Sequence, residues 1–175
     1  MNSLFNGCSS LVNISNIKSL KTKYVTKMDR MFCKCKKLKD LNDIQFFITE
    51  NVDVESFYEI FRGCSLKTLP DISQWNMIKA KDLSGMFKDC KNLTRLPDIS
   101  IWKLKNVERM NEMFSGCEKL ECLPDFTKWE LDNLDYIDRM FCGCKTLRDE
   151  NKFPDISKWK IKNPDDILKQ RIFDE

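Results

Sequence analysis

Histidine is absent from the 175 residues. That removes the commonest general base and the commonest metal ligand of proteins. Long apolar runs are also missing, and none approaches the roughly 20 residues that cross a bilayer. The first residues, "MNSLFNGCSSLVNISN", carry no basic segment and no apolar segment, so a signal peptide is not expected. A strong excess of one charge is lacking too. Thirty basic residues against 27 acidic ones leave +3, far from the profile of a nucleic-acid binder. No nucleophile–base pair and no glycine-rich phosphate loop stand out. Charge is locally uneven: "KSLKTK" and "KCKKLK" make residues 1–50 basic. A solvated face is preferred there over a site for an anionic partner.

What is present is repetition. An apolar fraction of 42% can support a core, and the apolar residues recur in columns. Phenylalanines at Phe5, Phe32, Phe61, Phe87, Phe114 and Phe141 are spaced by 27, 29, 26, 27 and 27 residues. Three residues after each comes a cysteine: Cys8, Cys35, Cys64, Cys90, Cys117 and Cys144. All four tryptophans, Trp75, Trp102, Trp129 and Trp159, share one column, which Leu20 and Phe47 fill in the first two units. A fixed period in this range marks a stacked array whose neighbours supply each unit's core.

Within a unit, Val107, Met110, Met113, Phe114 and Cys117 fall on one stripe of a helix, so a short helix is expected there. Glycine before the cysteine (Gly7, Gly63, Gly116, Gly143) is expected to end it in a left-handed conformation. Lys34 and Asp89 stand in that column elsewhere. The apolar series Leu120, Leu123, Phe126, Trp129 is too sparse for a continuous strand and suits a short extended segment. Pro70, Pro97, Pro124 and Pro154 bound it. The adjacent Asp71, Asp98, Asp125 and Asp155 are read as turn caps rather than a calcium ladder. After Trp159 the pattern stops, and Pro164-Asp165-Asp166 suits a helix start. Residues 1–163 are therefore read as one array and residues 164–175 as a capping helix.

The columns "MFxxCxxLxxLPDISxW", with the preceding "VxxMxx", resemble leucine-rich repeats of the BspA-like surface-protein type, from about Leu4 to Ile161. The resemblance implies an α/β class: a right-handed solenoid of about six turns, each with one short strand and one short helix. It also implies a non-catalytic module for protein–protein binding; the alternative is a structural spacer within a larger surface or scaffold protein. The second unit departs from the pattern in "LNDIQFFITENVDVESF". The third is one residue short between Cys64 and Leu66, and the sixth carries three extra residues before Pro154.

Nine cysteines invite a metal reading, with "CKC" (Cys33, Cys35) and "CGC" (Cys142, Cys144) as half-sites. Units stacked at strand spacing put Cys35 and Cys144 roughly 20 Å apart, whereas zinc ligands lie about 2.3 Å from the ion. The six column cysteines are read instead as a ladder of buried thiols donating weakly to backbone carbonyls. No metal or cofactor is expected. Reduced thiols favour an intracellular setting and the family resemblance a cell surface, so no compartment is assigned. The repeated columns are scaffold, so partner specificity is expected at variable positions. These are Gln74, Ile101, Lys128 and Lys158 before the tryptophans, and Asn76, Lys103, Glu130 and Lys160 after them. Segments Gln45–Glu55 and Arg148–Lys152 are rival sites. The partner is expected to be a protein, with no nucleic acid and no membrane span, and the chain a monomer.

Overall fold

The architecture follows from how each unit disposes of its backbone amides. In the segment running from the first motif methionine to the cysteine, alternate amides point in different directions. Met113, Ser115 and Cys117 donate back three residues, to the carbonyls of Met110, Glu112 and Phe114. Met110, Glu112, Phe114 and Gly116 donate instead to Tyr136, Asp138, Met140 and Cys142 of the next unit. The same bond joins each motif phenylalanine to the following unit, from Phe5 to the Met31 carbonyl through Phe141 to that of Ile172, at 2.9–3.0 Å.

This computed structural model describes residues 1–14, 17–20, 24–39, 41–46, 56–162 and 164–173. The class is mixed α/β with few helices and strands. Among the described residues there are two five-residue helices, α1 (Lys145–Asp149) and α2 (Pro164–Leu168). There are two two-residue strands, β1 (Glu130–Leu131) and β2 (Lys160–Ile161), paired in parallel with Glu130 opposite Lys160. Single parallel bridges join Lys27, Ser56, Asp82, Arg109 and Tyr136 in one row.

The helix expected over the methionine–phenylalanine stripe does not form. The stripe is a chain of tight turns, with left-handed residues twice per unit, four positions apart. One column is Ser3, Arg30, Glu59, Glu112 and Arg139, with φ between 53° and 58°, completed by Gly85 at 61°. The other is the expected glycine column, with Lys34 and Asp89 also left-handed at 60° and 58°. Turns closed by three-residue bonds place apolar side chains at the same i, i+3, i+4 spacing as a helix. The sequence period therefore fits both. A left-handed residue every fourth position forbids continuous helix and frees alternate amides for the next unit.

The core is one continuous cluster of these columns. Its axis is a stack of rings. Phe5, Phe32, Phe61, Phe87, Phe114 and Phe141 lie face to face with centroids 5.5–5.9 Å apart. The stack continues past the last full unit. After α2 the chain turns back, Ile172 accepts from the Phe141 amide, and Phe173 stacks on Phe141 at 5.8 Å. Arg171-Ile172-Phe173 thus takes the place of an "RMF" triplet such as Arg139-Met140-Phe141.

Each inner ring is buried on both faces, whereas Phe173 is 40% exposed. Phe87→Ala should cost about 3–5 kcal/mol and Phe173→Ala less than half as much, measured by denaturant unfolding at constant m-value. At Gly116 a Cβ would stand 2.8 Å from Asp89 Oδ1, at φ +73°. Gly116→Ala should therefore lose about 1–2 kcal/mol.

Candidate functional site

The tryptophans sit where an extended backbone follows a capped turn. Asp98, Asp125 and Asp155 each accept the amide two residues on and cap the 3₁₀ segments Ile99–Ile101, Phe126–Lys128 and Ile156–Lys158. Asp71 does the same for Ser73 at 2.9 Å. Hydroxyl hydrogen bonds from Ser73, Thr127 and Ser157, and with them these amide bonds, hold the carboxyls of Asp71, Asp125 and Asp155 below the usual carboxylate range. Trp102, Trp129 and Trp159 then adopt extended backbone angles. Because side chains alternate along extended chain, the rings go inward and their neighbours outward.

All four rings are buried, but they do not form a face-to-face row. Their regular link is polar: Trp102 Nε1 donates to the Ile72 carbonyl at 3.1 Å and Trp129 Nε1 to that of Ile99 at 3.0 Å, each one unit earlier. Trp75 packs on Phe57 and Phe61, and its Nε1 is buried without a partner among the described residues. Trp129 and Trp159 meet edge to face at 6.0 Å.

Of the candidate partner-binding positions, Gln74, Ile101, Lys103, Lys128, Glu130, Lys158 and Lys160 are exposed. Asn76 is half-buried, and its Oδ1 accepts the Ile78 amide at 3.0 Å, so it serves its own turn. Ile101 is 49% exposed. The register of β1 and β2 sets Glu130 beside Lys160, and Lys158 pairs with Asp155 at 3.2 Å. Of the rival segments, Gln45–Glu55 lies almost wholly outside the described residues. Arg148–Lys152 folds as the end of α1 and its cap, with Lys152 donating to the Leu147 carbonyl at 2.7 Å.

The cysteine column is a second set of tethers between units. Cys35, Cys64, Cys90, Cys117 and Cys144 each donate from Sγ to the carbonyl of the preceding unit's motif phenylalanine, at 3.1 Å in every case. Cys8 differs from the ladder expectation: it is exposed, in the first unit, where no earlier phenylalanine carbonyl faces it. Burial pushes the Cys35 thiol up to about 11, and those of Cys90 and Cys144 up to about 12. Asparagines add a third set that the sequence pattern did not reveal. Asn106 Nδ2 donates to the Ile78 carbonyl and Asn133 Nδ2 to that of Lys105, at 2.7 and 3.0 Å. Their signal was the "KNV" and "DNL" before the methionine stripes of units five and six.

Among the described residues one carboxylate is buried. Glu59 is 4% exposed. Burial pushes its carboxyl up, but hydrogen bonds and charge from Arg30 and Arg62 outweigh this and hold it below the usual range. Arg30 Nε lies 2.8 Å from Oε2, and Arg62 Nη1 bonds Oε1. With both oxygens held by guanidinium groups, Glu59 joins units two and three and is not placed to act as a general acid. Among the described residues no three cysteine or carboxylate side chains converge in a metal-ligand arrangement, and no helix is long and apolar enough to cross a membrane.

These features define a stacked-repeat protein whose units are tied by backbone amides in one direction and by cysteine, tryptophan and asparagine donors in the other. The chain belongs to the family described as "Mycoplasma protein of unknown function, DUF285", which matches residues 1–66 and 55–173. Among solved structures it is similar to a leucine-rich repeat protein from Bacteroides ovatus ATCC 8483, with 20% identity and a TM-score of 0.35. The match covers 77% of this chain and 35% of that one. No curated protein matches the chain.

Two cysteines, Cys8 and Cys122, are exposed. They should alkylate in the native protein, and the other seven only after unfolding, as counted by mass spectrometry. Raised thiol pKa values also set a pH dependence. The unfolded chain loses these protons near the ordinary thiol value of 9.0, and the folded chain only at about 11–12. Their contribution is therefore complete below pH 9 and is lost as pH rises through that window. Thermal melts should fall progressively from about pH 9 to 11, and less steeply when Cys90 is replaced by alanine.

Proposed function

We propose that the chain is a non-catalytic module for protein–protein binding. In this reading residues 1–163 form a right-handed solenoid of about six turns of the BspA-like leucine-rich type, and residues 164–175 close it. The observation that carries the reading is the division of labour between columns. The repeated phenylalanines, cysteines and tryptophans are spent on packing and on bonds between units. The variable residues flanking the tryptophans face solvent on extended backbone. Stacked arrays of this kind present large surfaces for their size. The exposed stripe of Ile101, Lys103, Lys128, Glu130, Lys158 and Lys160 mixes both charge signs around one apolar residue. This suits electrostatic discrimination between protein partners. The Asp turn caps, the buried Glu59 and the five tethered thiols are engaged structurally, which supports a non-catalytic reading.

Capture from the native cell identifies the partner, and variants of the immobilised chain then locate its site. Lys103→Glu, Glu130→Lys and Lys160→Glu combined should lose most of the bound partner while the thermal melt stays unchanged. Arg148→Glu with Lys152→Glu should retain it. Undiminished binding by the stripe variant, with loss in the Arg148–Lys152 variant, would move the site to the sixth-unit insertion. A chain that retains no partner at all would instead support the spacer alternative.

A further inference from the structure

The missing residue of unit three leaves a gap in the stack. Cys64-Ser65-Leu66 stands where unit two has Cys35-Lys36-Lys37-Leu38 and unit four has Cys90-Lys91-Asn92-Leu93. In those two units a pair of hydrogen bonds closes the turn. Lys36 and Leu38 donate to Lys34 and Cys35, and Lys91 and Leu93 to Asp89 and Cys90, at 2.8–3.1 Å. Among the described residues, Ser65 and Leu66 form no such bonds. The shortened turn opens a notch of about 560 Å³ between the walls made by Lys36 and Lys91, within the size range of small-molecule sites.

The lining is cationic. Lys34, Lys36, Arg62 and Lys91 line it together with the carboxylate of Asp89, and Lys91 Nζ also pairs with Glu118 at 2.8 Å. Lys34 and Lys36 are exposed and have no ion-pair partner among the described residues. Arg62 is held in place by Glu59 below it and reaches Asp89 at 3.6 Å, so its guanidinium is fixed before any ligand arrives. Gly63 beside it has no side chain to fill the space.

We propose that this notch is a binding site for a multiply charged phosphate of the pyrophosphate class. The positioned guanidinium would offer phosphate oxygens the N–H groups that Glu59 and Asp89 do not take. Lys34 and Lys36 hold one wall and Lys91 the other. The walls belong to units two apart, so roughly 10 Å separates them at strand spacing. A diphosphate, longer and more highly charged than orthophosphate, meets both walls with less rearrangement of the flexible lysines. The site shares no residue with the tryptophan-flanking stripe, so it stands or falls independently of the partner-binding reading.

The test is titration calorimetry of the full chain with sodium pyrophosphate at low ionic strength, with orthophosphate alongside. The original chain and a Lys162→Glu control should bind one pyrophosphate saturably, and orthophosphate more weakly. Lys36→Glu with Lys91→Glu should weaken binding by about tenfold or more. Insertion of one asparagine between Ser65 and Leu66, which restores the repeat length and keeps every cation, should weaken it as much. Thermal melts check that each variant folds, and Lys34→Ala serves in place of any that does not, with a loss of about fivefold. Absence of saturable binding by the original chain would overturn the proposal. So would an insertion variant that binds as tightly as the original, since attraction would then reside in the basic face and not in the notch.

Discussion

Every other feature of this fold depends on a backbone that turns alternate amides sideways. A residue in the left-handed region costs about 1–2 kcal/mol unless it is glycine, and each unit from the second to the fifth contains two left-handed residues, at least one of them not glycine. The cost is offset because each left-handed residue sends its amide to the next unit. Glu59 donates to the Ser84 carbonyl and Asp89 to that of Ser115. The array is thus held by a ladder of turns more than by a sheet. Its only paired strands among the described residues are two residues long.

Tethers run both ways across every junction between units three and five. Backbone amides of the turn segment reach forward, while cysteine thiols and tryptophan N–H groups reach back to the phenylalanine and isoleucine carbonyls. Buried carbonyls that the forward ladder leaves over are therefore satisfied by side chains, as buried polar groups must be. The same tethers keep the repeated columns inside the stack. Variation is then free to accumulate at exposed positions flanking the tryptophans and in irregular turns such as that at Ser65. The proposed binding stripe and the proposed anion notch are both drawn from those places.

The period, the aspartate caps and, after the first unit, the inward columns and the thiol-to-carbonyl bonds were legible in the sequence, because each rests on one residue type at a fixed offset. The turn conformation was not. Its left-handed position is a glycine only at Gly85 and is filled by Arg30, Glu59, Glu112 and Arg139 elsewhere, residues that by propensity read as helix formers. The apolar spacing of the turns coincides with that of a helix, so periodicity could not separate them. Arg171-Ile172-Phe173 was overlooked because it follows Phe141 by 32 residues, outside the regular period. The stripe and notch were only partly legible: the variable columns and the shortened third unit could be seen, but not that the shortening opens a space between lysines.

Native-state hydrogen exchange tests the central claim most directly. The amides of Glu59, Gly63, Gly85, Asp89, Glu112 and Gly116 all donate across unit boundaries, and several belong to residues with partly exposed side chains. If the turn ladder holds the array together, they should exchange with free energies close to that of global unfolding, alongside Met86 and Met113 of the core, whose amides bond within their own units. Exchange of these six at rates near those of an unfolded chain, while the core amides stay protected, would contradict the account.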